Sequence, residues 1–140
     1  MATKKNVPTE PVDLASFDEM VQRQEEGISV PIMGPDGKSP LGFSIRVAGP
    51  DSSRAKEAQE DLADELIASE NLTRLQAREV AERGLRFLAK VTLGWEPAII
   101  LDKQELAFSE ENAIKLYTRY NFIKEQVDRA AGNRTRFTKG

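Results

Sequence analysis

The chain contains neither cysteine nor histidine. Without cysteine there are no disulfides and no thiolate metal ligands, which is compatible with a reducing cytoplasm. Without histidine, serines such as Ser52, Ser53 and Ser109 have no imidazole base to activate them, and nucleophilic catalysis loses its usual support. Aromatic residues make up only 6% of the 140 residues, so each is expected to have a defined packing role. No apolar run approaches the ~18 residues needed to cross a bilayer. The opening MATKKNVPTEPVD has two lysines but lacks the apolar core of a secretory signal. The sequons at Asn71 and Asn133 are therefore read as chance. Neither sign of charge dominates: 20 Lys+Arg against 23 Asp+Glu leave a net charge of −3. That balance provides no electrostatic footprint for general nucleic-acid binding.

What remains is a chain with 39% hydrophobic and 31% charged residues, long enough for one domain with a modest core. Residues 1–13 are polar, carry two prolines and read as a disordered arm. Leu14, Phe17 and Val21 fall at helical spacing before Gly27, a C-terminal stop. The runs Ile28–Met33 and Leu41–Ala48 flank Gly34-Pro35-Asp36-Gly37, which suits a tight turn. Leu41, Phe43, Ile45 and Val47 alternate with Gly42, Ser44 and Arg46, so the pair reads as a half-buried β-hairpin, with Pro31 marking an edge strand.

A helix is expected after Pro50, capped by Asp51 or a serine, with Ala55, Ala58, Leu62 and Leu66 as its apolar stripe. Thr73 with Gln76 reads as a capping box restarting the helix after Glu70-Asn71. Leu75, Val80, Leu88 and Val91 then line a second helical face expected to end near Gly94-Trp95. Gly84 costs that helix ~1 kcal/mol against alanine, a cost explained by a close crossing or by drift. The connector EPAIILDKQELAF is either a miniature hairpin or an ordered loop. Ser109 caps a helix with Glu110 and Glu111 in its first turn and Ala113, Leu116, Tyr117 and Tyr120 on one side. A break follows at Tyr120-Asn121-Phe122, with Asn121 expected to cap a last helix that buries Phe122, Ile123 and Val127. The reading is an α+β fold, mainly α-helical: short helix and β-hairpin over 14–49, helical domain over 50–132, and a basic flexible tail over 133–140.

Three features invite chemistry. Gly37-Lys38-Ser39 resembles the end of a phosphate-binding loop, but the glycine required five residues earlier is Ile32 and Pro40 follows at once. Glu57, Glu60, Asp61, Asp64 and Glu65 form an acidic ridge at helical spacing, which reads as a solvated face because it lies opposite the apolar stripe beside Arg54 and Lys56. The basic end from Arg129 to Lys139 has only Phe137 to stack on a base. These residues point to a binding or assembly protein with no catalytic residue, cofactor or metal.

The order of signals has a likeness. SIRVAGPDSS leads into a charged helix; Gly94-Trp95 closes the next; then come Phe108-Ser109-Glu110-Glu111-Asn112, Leu116-Tyr117, Glu125-Gln126-Val127 and Gly132-Asn133-Arg134. Over about Ile28 to Phe137 this resembles the tail assembly chaperones of long-tailed bacteriophages. The chain departs from that pattern at Ala107 and Asn121, where the family often has proline. The resemblance implies a non-enzymatic protein of the host cytoplasm. Such a protein binds the tape measure protein, keeps its helices soluble and helps tail tube subunits polymerise around it. Leu62, Leu66, Tyr117, Tyr120 and Phe122 are the candidate partner-binding residues, and the edge of the hairpin is a candidate for self-association into a homo-oligomer. The alternatives are a structural tail or head–tail protein of the virion and a small DNA-binding regulator.

Overall fold

A computed structural model describes residues 10–68 and 77–138. Residues 1–9 of the arm expected over 1–13, the capping box at Thr73, the break at Glu70-Asn71 and Leu75 therefore lie outside the described residues. The fold is α+β and mainly helical. A 3-10 turn, Leu14–Phe17, leads into α1 (Asp18–Glu26); β1 (Ile28–Met33) and β2 (Pro40–Val47) follow, then α2 (Ser53–Ala68) and α3 (Ala77–Val91). The chain continues through β3 (Thr92–Glu96), β4 (Ile99–Leu101), β5 (Gln104–Leu106), α4 (Glu110–Arg119) and α5 (Asn121–Ala131), ending in a 3-10 turn at Arg134–Phe137.

The first sheet has the order β1-β2-β3 and is antiparallel throughout. Period two holds where the sheet meets the helices: Val30, Ile32, Ile45 and Val47 are buried while Ser29, Pro31 and Arg46 face out. The loop between β1 and β2 is closed by Asp36, whose carboxylate accepts from the Lys38 and Ser39 N–H groups at 2.8 and 2.9 Å and from the Ser39 hydroxyl. Those bonds, the hydroxyl foremost, hold the Asp36 carboxyl down at about 2. They also consume the N–H groups a phosphate cradle would need, which removes the one likeness to a nucleotide loop. Gly27 joins α1 to β1 at φ 83°, where a Cβ would stand 2.6 Å from Leu93 Cδ1 and 2.7 Å from the Val47 carbonyl oxygen. Only glycine fits there.

The structure corrects several expectations. Trp95 does not end a helix: α3 stops at Val91, and Thr92-Leu93-Gly94-Trp95-Glu96 is extended and pairs with β2, Trp95 opposite Ile45. The β-branched and aromatic residues there suit a strand, and pairing with β2 overrides the helical reading. Val80, expected on a packing face, is 55% exposed, because it lies at the end of α3 away from the core. No described atom comes within 4 Å of a Cβ built on Gly84, so no close crossing accounts for that glycine. Asn121 does not cap α5; its side chain donates to Glu125, and the helix break is made by the Tyr120 backbone at φ −124°, ψ 88°. Over its described part, 133–138, the basic end is not a loose tail either. Phe137 is completely buried, and Asn133 caps its turn by accepting from the Thr135 N–H.

The open question about the connector resolves as a hairpin. β4 and β5 pair antiparallel, and their two-residue turn places both Asp102 and Lys103 at positive φ, the geometry of a primed hairpin turn. One core cluster joins the sheet to the helices, running from Val30, Ile45 and Val47 through Leu88 and Val91 to Leu116, Tyr117, Ile123 and Val127. Among the described residues no helix is long and apolar enough to cross a membrane.

Candidate interaction surface

The polar side chains of the interior act as joints. Ser52, completely buried, accepts from the Ala55 N–H and donates to the Gly49 carbonyl, capping α2. Glu25 of α1 accepts from both the N–H and the hydroxyl of Ser53, which places a carboxylate at the positive end of the same helix. Thr92 Oγ1 donates to the Leu88 carbonyl at 2.8 Å and lies 2.7 Å from the Tyr117 hydroxyl. A threonine has one hydroxyl hydrogen, so the Tyr117 phenol is the donor to Thr92. Burial pushes that phenol's pKa up, and Tyr117 stays neutral.

Several residues of the sequence motifs from Gly94-Trp95 onward make contacts across elements. Trp95 packs edge-on against Phe108, with ring centroids 5.1 Å apart, and its indole N–H donates to the Leu106 carbonyl at 3.2 Å. Gln126 grips the β1 backbone: its carbonyl accepts from the Met33 N–H and its amide donates to the Met33 carbonyl, both at 2.8 Å. Arg134 pairs with Asp51, its Nη2 at 2.8 Å, and the same carboxylate accepts from Gln24 Nε2 at 3.0 Å. These contacts, the Arg134 hydrogen bond foremost, hold the Asp51 carboxyl down at about 2. Trp95, Gln126 and Arg134 are thus fastenings between elements distant in sequence.

The five candidate partner residues divide. Tyr117 is 1% exposed and Leu62 7%, so in this fold both are packing residues with no surface to offer. Leu66, Tyr120 and Phe122 are half-buried. Tyr120 and Phe122 meet edge-on at 6.2 Å at the corner between α4 and α5, with the Arg119 guanidinium 5.5 Å from the Tyr120 ring centre. Phe122 also borders a groove of about 340 Å³ that reaches Met33 and the β1–β2 turn. Helical spacing identified Leu62 and Tyr117 as apolar-face residues but carries no information on whether another element covers that face.

Sequence reasoning missed the larger apolar groove. It runs between α3 and α4, holds about 460 Å³, and is lined by Ala81, Leu85, Ile114 and Thr118. Arg78, Glu82 and Arg86 stand along the α3 side, and Arg86 is paired with Glu65 of α2. The available signal was Leu85, one turn before Leu88 on α3, together with Ile114 beside the named Ala113. The trough is apolar with a charged rim. The acidic ridge on α2 is exposed along its length, and Arg86 holds the Glu65 carboxyl below its ordinary value by hydrogen bonding. Among the described residues no three acidic side chains converge as a metal site would require. β1, the expected surface for self-association, has Pro31 without an N–H, and Gln126 occupies both polar groups of Met33. Compared with protein-family models, with curated proteins and with solved structures, the chain matches none.

Proposed function

We propose that this protein is a non-enzymatic assembly chaperone of the long-tailed-phage type, working in the host cytoplasm. It holds the apolar helices of a tape measure protein soluble while tail tube subunits assemble around them. In this reading the β1–β2 hairpin is the frame on which a small helical domain presents its binding surface. The observation that carries the reading is the open apolar groove between α3 and α4, with Leu85 and Ile114 inside it and charges along its edge. Helix-in-groove recognition needs spaced apolar pockets and no reacting group. The corner formed by Tyr120 and Phe122 adds a second apolar contact beside Met33. The order of motifs from Ile28 to Phe137 supplies the phage context.

Weak sites repeated along a client suit this task, because many bound copies replace one tight interface and release remains easy. Co-expression tests the proposal. A tape measure protein from the same phage is expected to be insoluble alone and soluble with this chain. A client that stays insoluble beside well-folded wild-type protein refutes the chaperone. Recovery of this chain at full stoichiometry in finished particles replaces the chaperone with a structural virion component.

A further inference from the structure

The segment that enters α1 carries some of the most exposed apolar side chains of the described chain. Val12 and Leu14 are each 65% exposed, Phe17 54% and Val21 37%. Leu14, Phe17 and Val21 are spaced by three and four residues, so they share one side of the turn and helix over about 10 Å. The bonds that anchor α1 sit at its other end. Gln24 is its one fully buried side chain, the Gly49 N–H donates to the Gln24 carbonyl at 2.9 Å, and Arg46 donates to the Glu26 and Gly27 carbonyls. Residues 10–19, by contrast, are all exposed. Gln24 follows Val21 by three residues and lies on the same side, so the side that α1 buries at its C-terminal end runs out into water at its N-terminal end. A contiguous exposed stripe of this kind marks a place where something docks.

The surrounding charge selects the occupant. Glu10, Asp13, Asp18 and Glu19 flank the stripe, and the one basic residue between positions 10 and 26 is Arg23. Arg23 is already engaged, 3.5 Å from Glu19 and donating to the Thr138 carbonyl at 2.7 Å. A second copy of the stripe would bring acid against acid. Nucleic acid and anionic lipid meet the same repulsion. We infer that the Leu14–Phe17–Val21 stripe is a second docking site, selective for an amphipathic helix whose apolar side is flanked by lysine or arginine. The inference rests on the helix-binding reading above and adds to it a charge rule and a location away from the α3–α4 groove.

Two designed helical peptides of about 20 residues, long enough to hold their helix, serve as probes: both carry one leucine stripe, with lysine flanks in one and glutamate flanks in the other. Fluorescence anisotropy against the full chain is expected to show the lysine peptide binding at least about tenfold tighter. Its affinity should fall severalfold when salt is raised to about 0.5 M. The Leu14→Ser/Phe17→Ser double variant changes only exposed positions, so its circular dichroism and urea midpoint should match wild type while lysine-peptide binding drops about tenfold. Equal binding of the two peptides, or a double variant that binds like wild type, overturns the inference. Lysine-peptide binding lost in Ile114→Ser but intact in the double variant assigns the helix to the α3–α4 groove; this also overturns the inference and leaves the chaperone reading standing. Client rescue by co-expression is scored separately, so failure of that reading is distinguishable from failure of this one.

Discussion

Asp51 lies where three distant parts of the chain meet, and replacing it by alanine separates two kinds of polar contact. Its carboxylate accepts from Gln24 Nε2 and from the Arg134 guanidinium, while its own N–H donates to Gln24 Oε1. Gln24 is completely buried. Asp51→Ala therefore strands an amide donor where water does not reach, at a cost of about 1–3 kcal/mol. The ion pair is different in kind, because its side chains are 56% and 34% exposed for Arg134 and Asp51. An exposed pair contributes about 0–1 kcal/mol. The expected total is about 1–4 kcal/mol for Asp51→Ala, with a distinctly smaller effect for Arg134→Ala. Urea melts at neutral pH should show this as a much larger drop in midpoint for Asp51→Ala with an unchanged slope.

Titration provides a second test of the same site. The folded-state pKa of Asp51 lies near 2, below its ordinary 3.8. A depressed carboxyl stabilises the fold above its unfolded pKa, and that contribution disappears as pH falls through the folded value. The difference between wild type and Asp51→Ala should accordingly shrink between about pH 4 and pH 2. Equal effects of the two substitutions at neutral pH, or a difference that stays constant on acidification, would refute the assignment.

The remaining predictions are shorter. Phe137→Ala should cost about 3–5 kcal/mol by chemical denaturation, since the ring is fully buried; an unchanged midpoint would show a dispensable end. Tyr117→Phe, which removes only the donor to Thr92, should cost about 1 kcal/mol, and a double-mutant cycle with Thr92→Val should reveal the coupling. Trp95 is half-buried against Phe108, so Trp95→Ala should fall below the ~3–5 kcal/mol of a fully buried ring, with native fluorescence emission short of the solvent-exposed wavelength. Ile114→Ser should leave circular dichroism unchanged and abolish client rescue; full rescue would remove the groove from the proposed mechanism.

Local signals located most of the elements. Ser109 caps α4 as its side-chain chemistry requires, β2 spans the alternating run although its buried face holds only from Ile45 to Val47 and Leu41 is exposed, and Gly27 ends α1. The misses share a cause in contacts between segments far apart in sequence. Thr92–Glu96 becomes a strand only because β2 lies beside it, and Phe137 is held at the end of the chain only because the turn capped by Asn133 docks there. The surface was harder to read than the fold. Periodicity marks Leu62 and Tyr117 as apolar-face residues and passes over Leu85 and Ile114. Which of them is covered depends on how α2, α3 and α4 lie together, and no single helix records that. Gln24 went unremarked because a polar residue among charged neighbours offers no clue that it is the side chain α1 buries.

The grip of Gln126 on Met33 has a consequence for how copies of this protein behave when crowded together. A side-chain amide presents the same oxygen and N–H as a peptide group, so Gln126 occupies the place that one residue of an incoming strand would take. Pro31 denies that strand a further donor. The sheet is therefore terminated on the β1 side by the protein's own helix, as a ladder is by a fitted cap, and strand-by-strand growth into a fibril has no template there.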